Sequence, residues 1–304
     1  MIVREIKCRQ AITKCGFPGG GWAINPYVGC GHGCVYCYAR FIKRFTGHTE
    51  EWGKFIDVRV NAPEILAKQI KSPKYQTGNI YLGTVTDPYQ PLEGKYRITR
   101  KILEVLKDYP VRVSILTKSK LVLRDLDLLL QMKEADVSFT VNSLDDEWRK
   151  RTEPFASSVG ERLEAAKSLI QKGIKVDVML GPYWPYFTEA EMLVQKFKET
   201  GVSHLFSESF NAIGGNWNGV EKVLKRNYSE LFLKMRNIIL NPQEFDVFYK
   251  TAGENLCRVC QKYDLPVTTY FGSGHAGKKF TRKNQKTMPR AGVEPARGLS
   301  LTGF

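Results

Sequence analysis

Val111-Arg112-Val113-Ser114-Ile115-Leu116 reads as a strand, set between helical stretches over residues 99 to about 107 and 121–132. Working outward, Asn79-Ile80-Tyr81-Leu82-Gly83 and Val137-Ser138-Phe139-Thr140-Val141 read as strands on either side of it. Residues 160–171 form the next helix, with Leu163, Ala166 and Ile170 on one apolar face, and Gly173 stops it before the strand Ile174-Lys175-Val176-Asp177-Val178-Met179-Leu180. A helix over 189–199 and the strand Val202-Ser203-His204-Leu205-Phe206 follow. Strand and helix thus alternate about six times without a break in composition, which predicts an α/β fold with parallel strands and helical crossovers. Upstream, Asn61-Ala62-Pro63-Glu64 has the chemistry of a helix start, with Asn61 as cap. Downstream, residues 220–239 and 242–263 read as two long helices before a last strand, Pro266-Val267-Thr268-Thr269-Tyr270-Phe271. The expected organisation is a short N-terminal strand and loop (1–21), a core (22–210), C-terminal helices and a last strand (211–271), and a basic, poorly ordered tail (272–304).

The 304 residues allow a sizeable core, and 42% hydrophobic with 25% charged residues excludes a mostly disordered chain. There is no apolar run near ~20 residues, so no membrane span is expected. The start, Met1-Ile2-Val3-Arg4-Glu5-Ile6-Lys7, turns polar too early for a secretory signal, which points to the cytoplasm and to reduced cysteines. There are 46 Lys and Arg against 31 Asp and Glu, a net charge of +15. Seven basic residues against Glu294 place +6 of this after residue 275, which leaves +9 in the body. Nucleic acid is therefore a candidate partner, with a merely lysine-rich surface as the plainer reading.

Cys30-Gly31-His32-Gly33-Cys34-Val35-Tyr36-Cys37 gathers three of the seven cysteines in one glycine-bearing loop. Such a loop lets three thiolates take three irons of a [4Fe-4S] cube and leaves the fourth iron open for a ligand. A zinc site of these cysteines with His32 is the structural alternative, but His32 stands two residues from both Cys30 and Cys34, where joint ligation is strained. Cys257-Arg258-Val259-Cys260, with Cys8 and Cys15, offers four more thiolates for a second cluster. Helical spacing of Phe248, Ala252, Leu256 and Cys260 instead favours Cys260 in the core.

The spacing of Cys30, Cys34, Tyr36 and Cys37 resembles the radical SAM signature, C-x3-C-x-aromatic-C. Residues 25–40, with Gly83-Thr84-Val85-Thr86-Asp87-Pro88-Tyr89-Gln90-Pro91, look like the branch that includes spore photoproduct lyase and its uncharacterised relatives. The resemblance implies a partial (β/α)6 TIM-like barrel with a C-terminal helical extension and the cluster loop after the first strand. It also implies a [4Fe-4S] cluster and S-adenosylmethionine as cofactors, and a reductant such as flavodoxin or ferredoxin. In the family, an electron from the cluster breaks the sulfonium bond and a 5′-deoxyadenosyl radical abstracts hydrogen from a substrate. By position, Gly83 and Thr84 would meet the methionine amine, Lys118 the carboxylate, Asn142 and Ser143 the ribose, and Gly181 with Tyr36 the adenine. The plainer readings are a turn at Gly83, a solvated Lys118 and helix-capping by Asn142 and Ser143. Glu153, followed by Pro154, has two readings, a side chain facing the cavity or, by default, a surface residue.

Spore photoproduct lyase uses a cysteine beyond its cluster motif as hydrogen donor, and here no cysteine lies between Cys37 and Cys257. A tyrosine is the candidate stand-in for that donor, with Tyr89, Tyr183 and Tyr186 near predicted strand ends. Nucleic acid stands first among substrate classes, then protein or peptide, then a small metabolite. The rival reading is a non-catalytic iron-sulfur or zinc module for structure or electron transfer.

Overall fold

Strands and helices alternate through most of the chain in the computed structural model, which describes residues 1–16 and 20–272. The expected disordered tail lies outside the described residues, apart from Gly272. In chain order the elements are β1 (Ile2–Ile6), β2 (Ile12–Lys14), β3 (Trp22–Ile24), β4 (Tyr27–Val28), β5 (Phe55–Arg59), α1 (Ala62–Gln69), β6 (Asn79–Leu82), α2 (Glu93–Tyr96) and α3 (Ile98–Leu106). Next come β7 (Arg112–Thr117), α4 (Leu126–Leu129), β8 (Glu134–Thr140), α5 (Asp146–Thr152), α6 (Val159–Gln171), β9 (Lys175–Tyr183), α7 (Ala190–Thr200) and β10 (Leu205–Ser209). The C-terminal extension is α8 (Asn216–Asn227), α9 (Ser229–Leu240), α10 (Pro242–Lys262) and β11 (Val267–Tyr270).

The main sheet runs β11-β10-β9-β8-β7-β6-β3-β2, parallel throughout except for the β2–β3 hairpin. Among the described strands none joins β11 to β2, so the result is the partial α/β barrel, open on one side. A small sheet, β1-β5-β4, sits beside it. Burial follows the two-residue period of the strands. Ile80, Leu82, Val113, Ile115, Val137, Val176, Val178 and Leu205 are essentially fully buried under the helices. Their alternates Tyr81, Ser114, Leu116, Ser138, Met179, Phe206 and Glu208 keep part of their surface on the open side. Because the strands are parallel, all their C-terminal ends lie along one rim.

Several local expectations are corrected. Residues 121–132 form a 3-10 turn (Lys120–Asp125) and the single turn α4 in place of one regular helix. There, buried Asp125 is clamped by Arg124 at 2.7 Å and Arg100 at 3.0 Å, and Arg124 also reaches Glu93 at 2.6 Å. The long helix over 220–239 is two helices, because Tyr228 leaves helical geometry (φ −146°, ψ 50°) to pack its ring on Trp148 and Phe187. Asn61 caps nothing with its side chain. It forms a two-way bridge with the Cys8 backbone instead, at 2.8 and 3.0 Å. The strand ending near Leu180 continues to Tyr183 as β9.

Candidate metal and cofactor site

The loop after β4 carries Cys30, Cys34 and Cys37, and a second loop, after β6, holds it in shape. Asn25 binds the Thr84 hydroxyl at 3.0 Å and accepts from the Val85 amide at 3.1 Å. The Thr86 hydroxyl donates to the Gly29 carbonyl at 2.6 Å, and Gln90 accepts from the Gly31 amide at 2.7 Å. Asp87 is the hub: it faces His32 at 3.2 Å and accepts from the Thr117 hydroxyl at 2.7 Å and the Lys118 amide at 2.8 Å. Burial alone would raise its carboxyl, but His32, Thr117 and the Lys118 amide outweigh it and hold the pKa at about 2. The residues 83–91 are thus a buttress for the cysteine loop, which accounts for the two stretches occurring together. Gly29 is required by its φ of +82°, since a Cβ there would fall 2.4 Å from the Phe55 carbonyl oxygen.

Cys30 and Cys34 are buried and Cys37 is partly so. Burial pushes the Cys30 thiol up to about 12 and raises Cys34 and Cys37 as well, so thiolates here require a cationic partner. Lys118 opposes the rise at both Cys34 and Cys37, which places its charge beside the loop. Among the described residues no three Cys, His, Asp or Glu side chains converge to hold a single metal ion. A cluster in which each cysteine grips a different iron does not need that convergence. His32, the fourth ligand of the zinc alternative, is turned to Asp87. The donor set therefore fits a [4Fe-4S] cluster with three protein ligands better than tetrahedral zinc.

The other sequence candidates lie along the same rim. Gly83 (φ +83°) follows β6, and a Cβ there would meet Pro88 at 2.3 Å, so its own turn accounts for the glycine. The Thr84 carbonyl accepts from the Tyr38 hydroxyl. Lys118 follows β7, with its ammonium 3.3 Å from the Thr140 hydroxyl and 5.8 Å from the Tyr36 ring centroid. Asn142, past β8, donates to the Tyr36 hydroxyl at 3.2 Å. Ser143 accepts from the Asp145 amide at 3.1 Å, a turn that starts α5. Gly181 is in β9, where the Gly181–Pro182 peptide is cis.

Four groups were missed or misplaced by the sequence. Glu153 is fully buried: it accepts from the Tyr36 hydroxyl and pairs with Arg162, itself 1% exposed. Burial opposes its charge, but Arg162 and Lys118 keep its pKa below the usual carboxylate range. Glu208 of β10 lies against Gly181, where a Cβ would stand 2.9 Å from its Cγ. The register between β9 and β10 shifts at that point, which re-aims the carboxyl. Burial pushes Glu208 up to about 7, with Lys118 pulling the other way. Asn216 donates to the Tyr36 carbonyl at 3.0 Å, and Arg40 to the Val35 carbonyl at 2.6 Å, so the start of α8 is tied to the cysteine loop. Among the tyrosines, Tyr89 is buried against Arg124, Tyr183 is buried in contact with Phe271, and Tyr186 is 51% exposed. Cys260 is wholly buried in the core, and burial raises its thiol to about 12.

A family model described as the Radical SAM superfamily matches residues 24–203. The chain belongs to the Radical SAM superfamily. An uncharacterized protein of Methanocaldococcus jannaschii is 35% identical over 64% of this radical SAM chain and 72% of its own length. An uncharacterized protein of Acidianus two-tailed virus is 30% identical over 67% of this chain and 72% of its own. Among solved structures, a double mutant of spore photoproduct lyase with bound AdoMet and dinucleoside spore photoproduct has a TM-score of 0.64. It covers 88% of this chain and 81% of the lyase chain at 19% identity, so what the two share is the fold. Among the described residues, no helix of this radical SAM protein is long and apolar enough to cross a membrane.

Proposed function

We propose that the chain is a cytoplasmic radical SAM enzyme that holds a [4Fe-4S] cluster on Cys30, Cys34 and Cys37 and binds S-adenosylmethionine along the strand rim. The observation that carries this reading is the buried three-cysteine loop, fixed by Asp87 and Gln90, at the C-terminal ends of parallel strands. When bound, the cluster supplies the electron that cleaves S-adenosylmethionine and so starts hydrogen abstraction. Lys118 offers the ammonium for the cofactor carboxylate. Thr84 and Gly83 offer backbone to the amine, Asn142 and Ser143 flank the ribose, and Tyr36 and Gly181 flank the adenine. The proposed barrel unit is 22–210, with 1–21 before it, 211–271 as a helical cover and 272–304 as a basic tail.

Nucleic acid is the substrate class favoured by the net charge of +15 and by the likeness to a lyase structure that holds a dinucleoside. The reductant is a flavodoxin or ferredoxin. Anaerobic protein rebuilt with iron and sulfide is expected to release 5′-deoxyadenosine when given S-adenosylmethionine and dithionite, and Cys34→Ala to release none. An intact cluster without turnover, or zinc in its place, would favour the non-catalytic alternative. Deuterium passing from candidate pools into 5′-deoxyadenosine would identify the substrate.

A further inference from the structure

The cysteine loop has a second neighbour outside the strand rim. Residues 151–155 run along it, with the Val35 amide donating to the Thr152 carbonyl at 2.9 Å and the Phe155 amide to the His32 carbonyl at 3.3 Å. Phe155 is 59% exposed, and Pro154 beside it is exposed too. Both stand against Gly33, where a Cβ would lie 3.7 Å from each, so an open apolar surface covers the loop at this glycine. Beside this surface, a cleft between α5 and α8 is lined by Arg151, Lys222, Val223, Arg226 and Asn227.

The acids flanking that cleft are already neutralised: Lys150 holds Glu147 at 2.7 Å and Lys225 holds Glu221 at 2.7 Å. Among the described residues Lys222 and Arg226 have no acidic partner, and Arg151 has Glu147 as its acid, at 3.8 Å, with Asn227 at 2.7 Å and the Tyr228 hydroxyl as its other partners. An exposed aromatic beside uncompensated cations is the composition of a protein-docking face for an acidic partner. It touches backbone between the cysteine ligands, whereas the groups proposed to meet S-adenosylmethionine, Lys118 and Asn142, belong to the strand ends.

We propose that Phe155, Arg151, Lys222 and Arg226 form the docking face for an acidic electron-transfer protein. This rests on the cluster reading above. With the cluster held on Cys30, Cys34 and Cys37, a donor seated here would pass it one electron from beside the Gly33–Val35 backbone, and no proton or bond would change hands at the face.

The test compares the reconstituted wild type with the triple variant Arg151→Glu/Lys222→Glu/Arg226→Glu and with Phe155→Ser, using a purified flavodoxin as probe. Flavodoxin affinity of the triple variant is expected to fall about tenfold or more at low salt and to lose its ionic-strength dependence. Cluster reduction by flavodoxin hydroquinone should slow by a similar factor in both variants, while reduction by dithionite stays within about twofold of wild type. Unchanged flavodoxin affinity and rate would overturn the proposal. So would loss of single-stranded oligonucleotide binding with flavodoxin reduction intact, which would make the face a nucleic-acid surface. If the triple variant misfolds, Phe155→Ser and the neutral pair Lys222→Gln/Arg226→Gln decide by the same readouts. Failure of the dithionite-reduced wild type to cleave S-adenosylmethionine would count against the proposed function, whereas flavodoxin binding is read independently of it.

Discussion

Gly219 of α8 lies so close to Val35 that a Cβ at 219 would fall 2.6 Å from the Val35 carbonyl oxygen. The C-terminal extension is therefore seated directly on the loop between two cysteine ligands, with Asn216 and Arg40 bonding the same loop. In an unencumbered helix, Gly→Ala stabilises by about 1 kcal/mol. Here Gly219→Ala is expected to destabilise instead and to lower the iron content after reconstitution, with helical circular dichroism retained. Urea unfolding and iron analysis check both halves of the prediction. A stabilised, fully loaded variant would mean that α8 does not support the loop.

The Glu153–Arg162 pair is fully buried, and Arg162 also donates to the Ser157 and Thr140 carbonyls at 2.9 and 2.8 Å. Replacing one partner of such a pair leaves an uncompensated charge, a loss of about 3–5 kcal/mol. Arg162→Met should lose about that much in denaturant unfolding. Because Glu153 also bonds the Tyr36 hydroxyl, the variant should bind S-adenosylmethionine more weakly, as calorimetry would show.

Asp177 is buried beside Asp136, and one of its carboxylate oxygens has no hydrogen-bond partner. Burial pushes its pKa up to about 6, only partly offset by Lys175 at 3.6 Å. A carboxyl raised in the folded state favours folding while protonated, and that stability is lost as pH rises from about 4 through about 6. Asp177→Asn should therefore unfold like wild type near pH ~4 and be more stable by about 1–2 kcal/mol near pH ~8. Equal stabilities at both pH values would contradict this.

The cysteine ligands and the strand-helix alternation are legible in the sequence because both are local. Three cysteines within eight residues fix their own geometry, and a period of two or 3.6 residues needs no distant partner. Glu153 is only half legible: a cavity-facing side chain is one reading, but the residue before a proline reads by default as surface, and what buries it is Arg162 on α6 and Tyr36, which is 117 residues away along the chain. Glu208 was missed because its setting depends on a register shift between β9 and β10, which no local pattern announces. The stretch Gly83–Pro91 was visible as a motif, but its physical role appears only when Thr86, Asp87 and Gln90 are seen gripping Gly29, His32 and Gly31.

Asp87 ties His32 of the cysteine loop to Thr117 and Lys118 at the end of β7, so Asp87→Asn should loosen the loop without unfolding the barrel. Reconstituted Asp87→Asn is expected to lose iron faster to a chelator than wild type, and the metal-free chain to lose about 1–3 kcal/mol in urea unfolding while keeping its helical circular dichroism. Equal rates of iron loss would remove Asp87 from the account.

Three cysteines, and no fourth side chain, are proposed to hold the cluster. Electron paramagnetic resonance of the dithionite-reduced, reconstituted protein tests this most directly, recorded before and after S-adenosylmethionine is added. The expected result is a [4Fe-4S] signal that changes on addition, with nitrogen coupling from amine-labelled S-adenosylmethionine. A signal indifferent to S-adenosylmethionine, with a fourth ligand from the protein, would contradict it.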